Sequence, residues 1–319
     1  MKSQLQKHSF ILIFIVLAIA IGFGIGSKKK DKDGASHKNL VKREDIVEAG
    51  QKKDGIPSIN KPMLITNKDA SVWLKDDELG VSIEGSDSAR FYPLQILKWH
   101  EIVNDTYEGN PIMATYSPLS ASSAIYKRMV NGQKVEFGVL GRVWNSQSVW
   151  YDRLSDSWWS PILGRSIYGS RSGDYLTKVP HEVASFALWK ALYPKGLVLS
   201  RNTGHIRKYD KDQYKEYEDS SKTVAPYKPK DVRLAAKNVV IGITVTGHQK
   251  AYETSMIEEK KEIDDVIGSQ KIHIEYFKPL KSIRVYKISS NKKKERAAFY
   301  QGYWFTWAAT YPKTELYMR

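Results

Sequence analysis

An unbroken apolar run, FILIFIVLAIAIGFGIG at residues 10–26, stands apart from the alternating pattern of all that follows. Lys2, Lys7 and His8 precede it, and Lys28 to Lys30 follow it. Its length falls at the lower edge of the ~17–25 residues that span a hydrocarbon core, so it predicts a membrane helix, with a cleaved signal peptide and secretion as the alternative. Basic residues flank both ends, so charge asymmetry does not decide orientation. The expectation is a single-pass anchor in the cell membrane, residues 1–27, with the remainder extracytoplasmic. Residues 28–54, mostly Lys, Asp, Ser and Gly with an amphipathic patch at Ile46 and Val47, read as a charged, flexible tether.

From about Gly55 short apolar runs alternate with turn signals. LGVSIEG at 79–85, GNPIMATYSP at 109–118, KVEFGVLG at 134–141 and SVWYD at 148–152 predict strands. Helical spacing occurs in ARFYPLQILKWHEIVND, where Leu94, Leu97, Ile102 and Val103 fall on one face, and in HEVASFALWKALYP at 181–194, which ends before Pro194.

The first of these blocks recurs. At a constant offset of 160, Arg90 meets Lys250, Tyr92 meets Tyr252, Val103 meets Ile263, Asp105 meets Asp265, Ile112 meets Ile272, Tyr116 meets Tyr276 and Tyr126 meets Tyr286. Further on, WKALYPK from Trp189 resembles WAATYPK from Trp307. The pattern predicts a β-rich α+β fold: two related lobes of mainly antiparallel strands with a few short helices, preceded by the membrane helix. Residues 55–218 would form the first lobe, the Ser, Pro and Lys-rich stretch 219–231 a linker, and 232–319 a second, shortened lobe.

Composition narrows the chemistry. The chain lacks cysteine, which removes disulfides, thiolate nucleophiles and thiolate metal sites. The net charge of +15 sits partly in KKKDK at 28–32 and KKKER at 292–296, runs that solvate a linker and a loop. No nucleic-acid motif is present and nucleic acid is not an expected partner; basic residues beside a membrane segment suit lipid headgroups. The expected partners are a bilayer, through residues 10–26, and a small molecule or protein.

The two copies differ in their chemistry, because His100 meets Lys260 and Glu101 meets Lys261. On a continuous helix His100 and Asn104 would lie one turn apart, with Glu101 and Asp105 as the adjacent pair. Such a face could orient a general base through a carboxylate, or the same residues could satisfy backbone groups where a helix gives way to a turn at Asn104 and Asp105. This stretch alone does not supply a metal site, and no cofactor is expected. In SRNTGHIRKYDKDQY, 200–214, the order of acidic groups is wrong for calcium, and a charged surface turn is expected.

Four stretches together resemble the prokaryotic domain-of-unknown-function family 3179: ARFYPLQILKWHEIVNDTYEGNPIMATYSPL, FGVLGRVWNSQSVWYDRLSDSWWSPILGRSIYG, VLSRNTGHIRKYDKDQY and WFTWAATYPKTELY. The resemblance covers the chain from about Gly55 to the C-terminus and implies a fold and a site without naming a reaction. In that family the stretch beginning at Thr115 reads Thr-Tyr-Cys-Pro-Leu-Cys-Gly-Ser-Ala; here Ser117 and Ser120 stand at the two cysteine positions and Ala121 at the glycine. Hydroxyls neither bind soft metals nor cycle as dithiols, so any thiol chemistry of the family is lost here. The family pattern also marks Tyr116, Arg142, Asn145, Tyr151, Asp152, Arg153, Trp158 and Ser160 as candidate ligand-binding residues beside Asn104 and Asp105. Arg153 would pair with Asp152 or meet an anionic ligand, and Trp158 and Trp159 would pack or stack.

Two functional expectations follow. One is a membrane-anchored, non-catalytic ligand-binding or interaction module. The other is a degenerate metal-binding or hydrolase-like enzyme that acts through His100 and Glu101 with Ser117 and Ser120.

Overall fold

The computed structural model describes residues 38–86, 88–223 and 230–318. The expected membrane helix and the start of the tether lie outside them. Among the described residues no helix is long and apolar enough to cross a membrane. Residues 38–54 pack against the body of the protein: the Leu40 amide donates to the Ile167 carbonyl at 3.0 Å, and Ile46 is buried. Strand β1 (Val47–Glu48) pairs with Val143 and Arg142.

Next come β2 (Leu64–Thr66) and the short helix α1 (Asn67–Ala70), then β3 (Leu79–Glu84), β4 (Ala89–Pro93), α2 (Leu94–His100), β5 (Ile102–Tyr107), β6 (Asn110–Ser117) and β7 (Ser122–Lys127). A small hairpin, β8 (Met129–Val130) and β9 (Gln133–Lys134), precedes the antiparallel strands β10 (Phe137–Trp144), β11 (Gln147–Asp152), β12 (Trp158–Ser160) and β13 (Arg165–Tyr168). Then follow β14 (Lys178–Val179), β15 (Glu182–Ser185), α3 (Phe186–Leu192), β16 (Leu197–Leu199) and α4 (Lys215–Asp219). Past residue 230 the chain forms β17 (Val239–Val245), β18 (His248–Glu253), α5 (Thr254–Lys260), β19 (Glu262–Ile267), β20 (Gln270–Phe277), β21 (Ser282–Ile288), β22 (Lys294–Arg296), β23 (Tyr300–Tyr303), α6 (Trp304–Thr310) and β24 (Glu315–Leu316). The fold is β-rich, with short helices and mainly antiparallel sheets.

The pairings repeat at the spacing seen in the sequence. Val81 faces Tyr92 and Ile241 faces Tyr252; Ile102 faces Thr115 and Glu262 faces Glu275; Ile112 faces Lys127 and Ile272 faces Lys287. The downstream match holds as well. Ser185 at the end of β15 faces Leu79, as Tyr303 at the end of β23 faces Val239. Leu197 runs parallel to Arg90, as Glu315 does to Lys250. The matched polar residues form a latch. Asp105 accepts from Arg90 at 2.5 Å, from the Tyr92 hydroxyl at 2.8 Å and from the Thr106 amide at 2.6 Å. Asp265 does the same with Lys250, Tyr252 and the Val266 amide at 2.7 Å each. In both copies a charge-assisted network ties the hairpin to the strand after the helix.

Strands of both copies share one sheet, ordered β24-β18-β17-β23-β7-β6-β5, in which Gln301 of β23 meets Ser123 of β7. Each copy keeps its own apolar cluster, one around Tyr92, Leu97, Val103 and Ile125, the other around Tyr252, Ile257, Ile263 and Val285.

One expectation is corrected. The helix that begins at Leu94 stops at His100, because Glu101 turns to φ 56°, and Ile102 to Tyr107 form a strand. β-Branched Ile102 and Val103 suit a pleated, largely buried strand better than a helix continuation. His100 and Asn104 therefore do not share a helix face, and no turn forms at Asn104 and Asp105.

Candidate functional site

Consecutive residues at the end of α2 point to different places. The backbone of Glu101, at φ 56° and ψ −33°, reverses direction, as Lys261 does in the second copy at φ 68° and ψ −38°. Since both copies keep this corner, its strain belongs to the scaffold. Its decoration differs: Lys261 is exposed, while Glu101 is 1% exposed.

His100 is fully buried with both ring nitrogens engaged. Nδ1 lies 2.7 Å from the Pro57 carbonyl, which can only accept, so Nδ1 carries the proton and Nε2 accepts from the Tyr209 hydroxyl at 2.7 Å. Thr203 Oγ1 lies 2.6 Å from that hydroxyl. Burial pushes the ring's pKa down to about 4, opposed by the Pro57 bond and reinforced by nearby His205 and Arg207. The imidazole is neutral at pH 7 and serves to pin the 200–214 loop to α2.

Glu101 instead forms the floor of a cleft of about 710 Å³. Three segments wall it: residues 49–56, the middle of β10 and β11, and the 206–214 loop. A β-bulge between Val139 and Val143 bends β10 here. Gly141, at φ 76°, lets residues 51 and 52 approach, since a Cβ there would lie 2.2 Å from the Gln51 carbonyl oxygen. Glu101 Oε1 accepts from the Ser148 hydroxyl at 3.1 Å, whereas Oε2 is buried without a hydrogen-bond partner. Burial pushes the carboxyl up to about 7, with the Ser148 bond pulling the other way. Arg142, Arg207 and Lys208 line the cleft, and Glu101 is the one acidic side chain among its described walls. Tyr214, also in the wall, is held above the usual phenol range, first by burial and then by the charge of Glu101.

Ser117 and Ser120 flank the turn between β6 and β7 and are not part of the cleft wall. Both are buried. Ser120 Oγ lies 2.8 Å from Ser122 Oγ, which accepts from Gln147 Nε2 at 3.0 Å, while the Ser117 hydroxyl has no partner. His100 bonds to neither serine.

The other predicted residues are spread over the scaffold. Asn104 bonds the amide and carbonyl of Phe137 at 3.0 and 2.8 Å, and Asp105 is the latch described above. Tyr116 is buried in the apolar cluster of the first copy, and Asn145 occupies the β10–β11 turn, reaching the Ala309 carbonyl at 3.3 Å. Tyr151 and Arg153 both bond Asp54, so Arg153 pairs with Asp54 and leaves Asp152 free for other work. Asp152 accepts from the Ser155 amide at 2.6 Å and from Trp159 Nε1 at 2.9 Å, which shapes the turn after β11. Trp158 packs at a tilt against Tyr168 with Arg142 over its face, and Ser160 Oγ accepts from the Leu163 amide at 3.4 Å. Of the predicted set, only Glu101 and Arg142 line the cleft.

Arg207, Lys208, Gln213 and Tyr214 also line it, where the sequence alone predicts a charged surface turn. Their density of basic and aromatic groups within one matching stretch, HIRKYDKDQY, was the available signal. Among the described residues no cluster of acidic, histidine or cysteine side chains could hold a metal ion.

Fold and site together define a β-rich module with an internal repeat and a polar cleft in the first copy. Residues 53–314 match the family described as Protein of unknown function (DUF3179), and the chain belongs to that family. No curated protein and no solved structure matches it.

Proposed function

We propose that the protein is a membrane-anchored, extracytoplasmic module that binds a small anionic molecule in the Glu101 cleft without transforming it. The carrying observation is the pairing of an unpartnered, buried carboxyl oxygen with a rim of Arg142, Arg207 and Lys208. At or below neutral pH the protonated Glu101 carboxyl donates to the ligand while Arg207 and Lys208 supply countercharge, Arg142 being paired with Glu48 at 2.9 Å. The cleft volume lies within the ~300–1,000 Å³ typical of small-molecule sites. A non-catalytic role is favoured by His100, whose two nitrogens bond the Pro57 carbonyl and the Tyr209 hydroxyl and so engage neither Ser117 nor Ser120. In this reading residues 55–218, together with Ala49 and Gln51 of the preceding segment, carry the site, residues 232–319 brace it, and residues 10–26 hold both at the bilayer.

The test uses the full chain, which should stay with membranes through a high-salt wash and leave them only in detergent. In detergent, a panel of small carboxylates and phosphates is titrated by calorimetry. At least one should bind, more weakly as pH rises past 7 and Glu101 ionises, and R207A/K208A should weaken it roughly tenfold or more, the size of one charge-assisted hydrogen bond. Release by salt alone would remove the anchor. Binding indifferent to both pH and the double substitution would remove the cleft.

A second reading, a degenerate thiol or metal site, rests on the buried, unpaired hydroxyl of Ser117 beside Ser120. Stoichiometric zinc or copper uptake by S117C/S120C would favour it, and no uptake would end it.

A further inference from the structure

The internal repeat places two cavities in equivalent positions. One, of about 190 Å³, is lined in the first copy by Ser82, Glu84, Glu182 and Tyr193, with Arg296 reaching in from the second. The other, of about 200 Å³, is lined in the second copy by Gly242, Thr244, Tyr300 and Tyr311, with Lys178 reaching in from the first. The offset of 160 carries Glu84 onto Thr244, and the Trp189-to-Trp307 offset carries Glu182 onto Tyr300, Tyr193 onto Tyr311 and Lys178 onto Arg296. Strand pairing agrees: Lys178 lies opposite Tyr126, and Arg296 opposite the matching Tyr286. His181 and its counterpart Phe299 stack on one another with centroids 6.3 Å apart.

Each copy thus lends a basic side chain to the other's cavity, and the two meet different surroundings. Arg296 bonds Glu182 at 3.0 Å and Glu84 at 3.3 Å. Lys178 meets a threonine and a tyrosine where those acids would stand. Among the described residues it forms no ion pair; its ammonium lies 5.6 Å from the Tyr126 ring, and burial pushes its pKa down to about 8. Lys178 is half-buried, so without a counter-ion its ammonium is only partly solvated, and an incoming anion would stabilise it. The opposite wall is aromatic. Tyr300 stacks on Trp307 at 5.4 Å and Trp307 contacts Tyr311 at 4.4 Å, with Gly242 behind, where a Cβ would fall 2.3 Å from the indole.

We propose that this second cavity binds a small planar carboxylate, whose charged group meets Lys178 in the place that Glu84 and Glu182 occupy in the other copy, and whose flat body lies along the Tyr300, Trp307 and Tyr311 wall. Its volume falls below the ~300–1,000 Å³ of drug-sized sites, so the occupant is fragment-sized. The site shares no wall residue with the Glu101 cleft and stands independently of it.

The probe is benzoate, titrated into the full chain in detergent after reductive ¹³C-methylation of lysines, with the Lys178 resonance assigned by its loss in K178R. Benzoate should shift the Lys178 titration upward and saturate, with acetate binding at least several-fold more weakly. Thr244→Glu, at an exposed position, supplies the missing internal acid; it should raise the Lys178 titration without ligand and weaken benzoate roughly tenfold or more. No benzoate-dependent shift in the wild-type protein, or equal binding by T244E, would overturn the site. Acetate binding as tightly as benzoate would overturn the planar ligand.

Discussion

Glu101 and His100 are neighbours in sequence and opposites in titration. Burial raises the carboxyl from 4.5 to about 7, so the folded chain keeps a proton that the unfolded chain has released. Stability from this residue is complete below pH 4.5 and is lost as pH rises towards 7, a loss of about 3 kcal/mol at ~1.4 kcal/mol per unit. His100 runs the other way: its pKa falls from 6.5 to about 4, so its contribution is present above 6.5 and is lost on acidification through 4. Glu101→Gln removes only the first slope. Its melting temperature relative to wild type should rise between about pH 4.5 and pH 7 and level off above that. Parallel curves for the two proteins would show that Glu101 is not desolvated.

Among elements, the turn between β6 and β7 carries local strain that substitution can relieve. Ala121 sits at φ 47°, matched by Lys281 at φ 48°, in a region that costs an L-residue about 1–2 kcal/mol. Glycine, which the family resemblance places there, escapes that cost and returns roughly 0.5–1 kcal/mol of it as added chain entropy. Ala121→Gly should therefore stabilise the protein by up to about 1 kcal/mol in urea unfolding. Destabilisation would mean that the Cβ is needed for packing. Much at this scale was legible in the sequence. The Tyr, Asp and basic positions of the latch persist in both copies because each makes the same hydrogen bonds, and that gave the repeat its register. The end of α2 was not legible, since helical spacing continues through Ile102 and only the reversal at Glu101 breaks it. Nor were Arg207 and Lys208, which have no periodicity and reach the cleft because the neighbouring Tyr209 ties their loop to His100.

At the scale of the molecule the copies are joined by ions as well as strands. Glu182, 5% exposed, bonds Arg284, Arg296 and Ser282, and Glu84 bonds both arginines. Truncating one member of a buried charge cluster leaves the others unpaired, so Glu182→Ala should cost about 3–5 kcal/mol in denaturant unfolding, with little dependence on salt. A cost below 1 kcal/mol would place the cluster in solvent. The shared sheet has a consequence in time. β7 is complete at Lys127, yet its neighbour β23 does not begin until Tyr300. On a ribosome adding ~5–20 residues per second, Ser122 to Ala124 wait roughly 10 to 30 s for their partner strand. For that interval the nascent chain presents an open strand edge, partly shielded once β14 pairs at Ile125 and Tyr126. The carboxy-terminal copy therefore closes a surface left exposed by the amino-terminal one, and a chain truncated before Tyr300 would carry that edge for its lifetime.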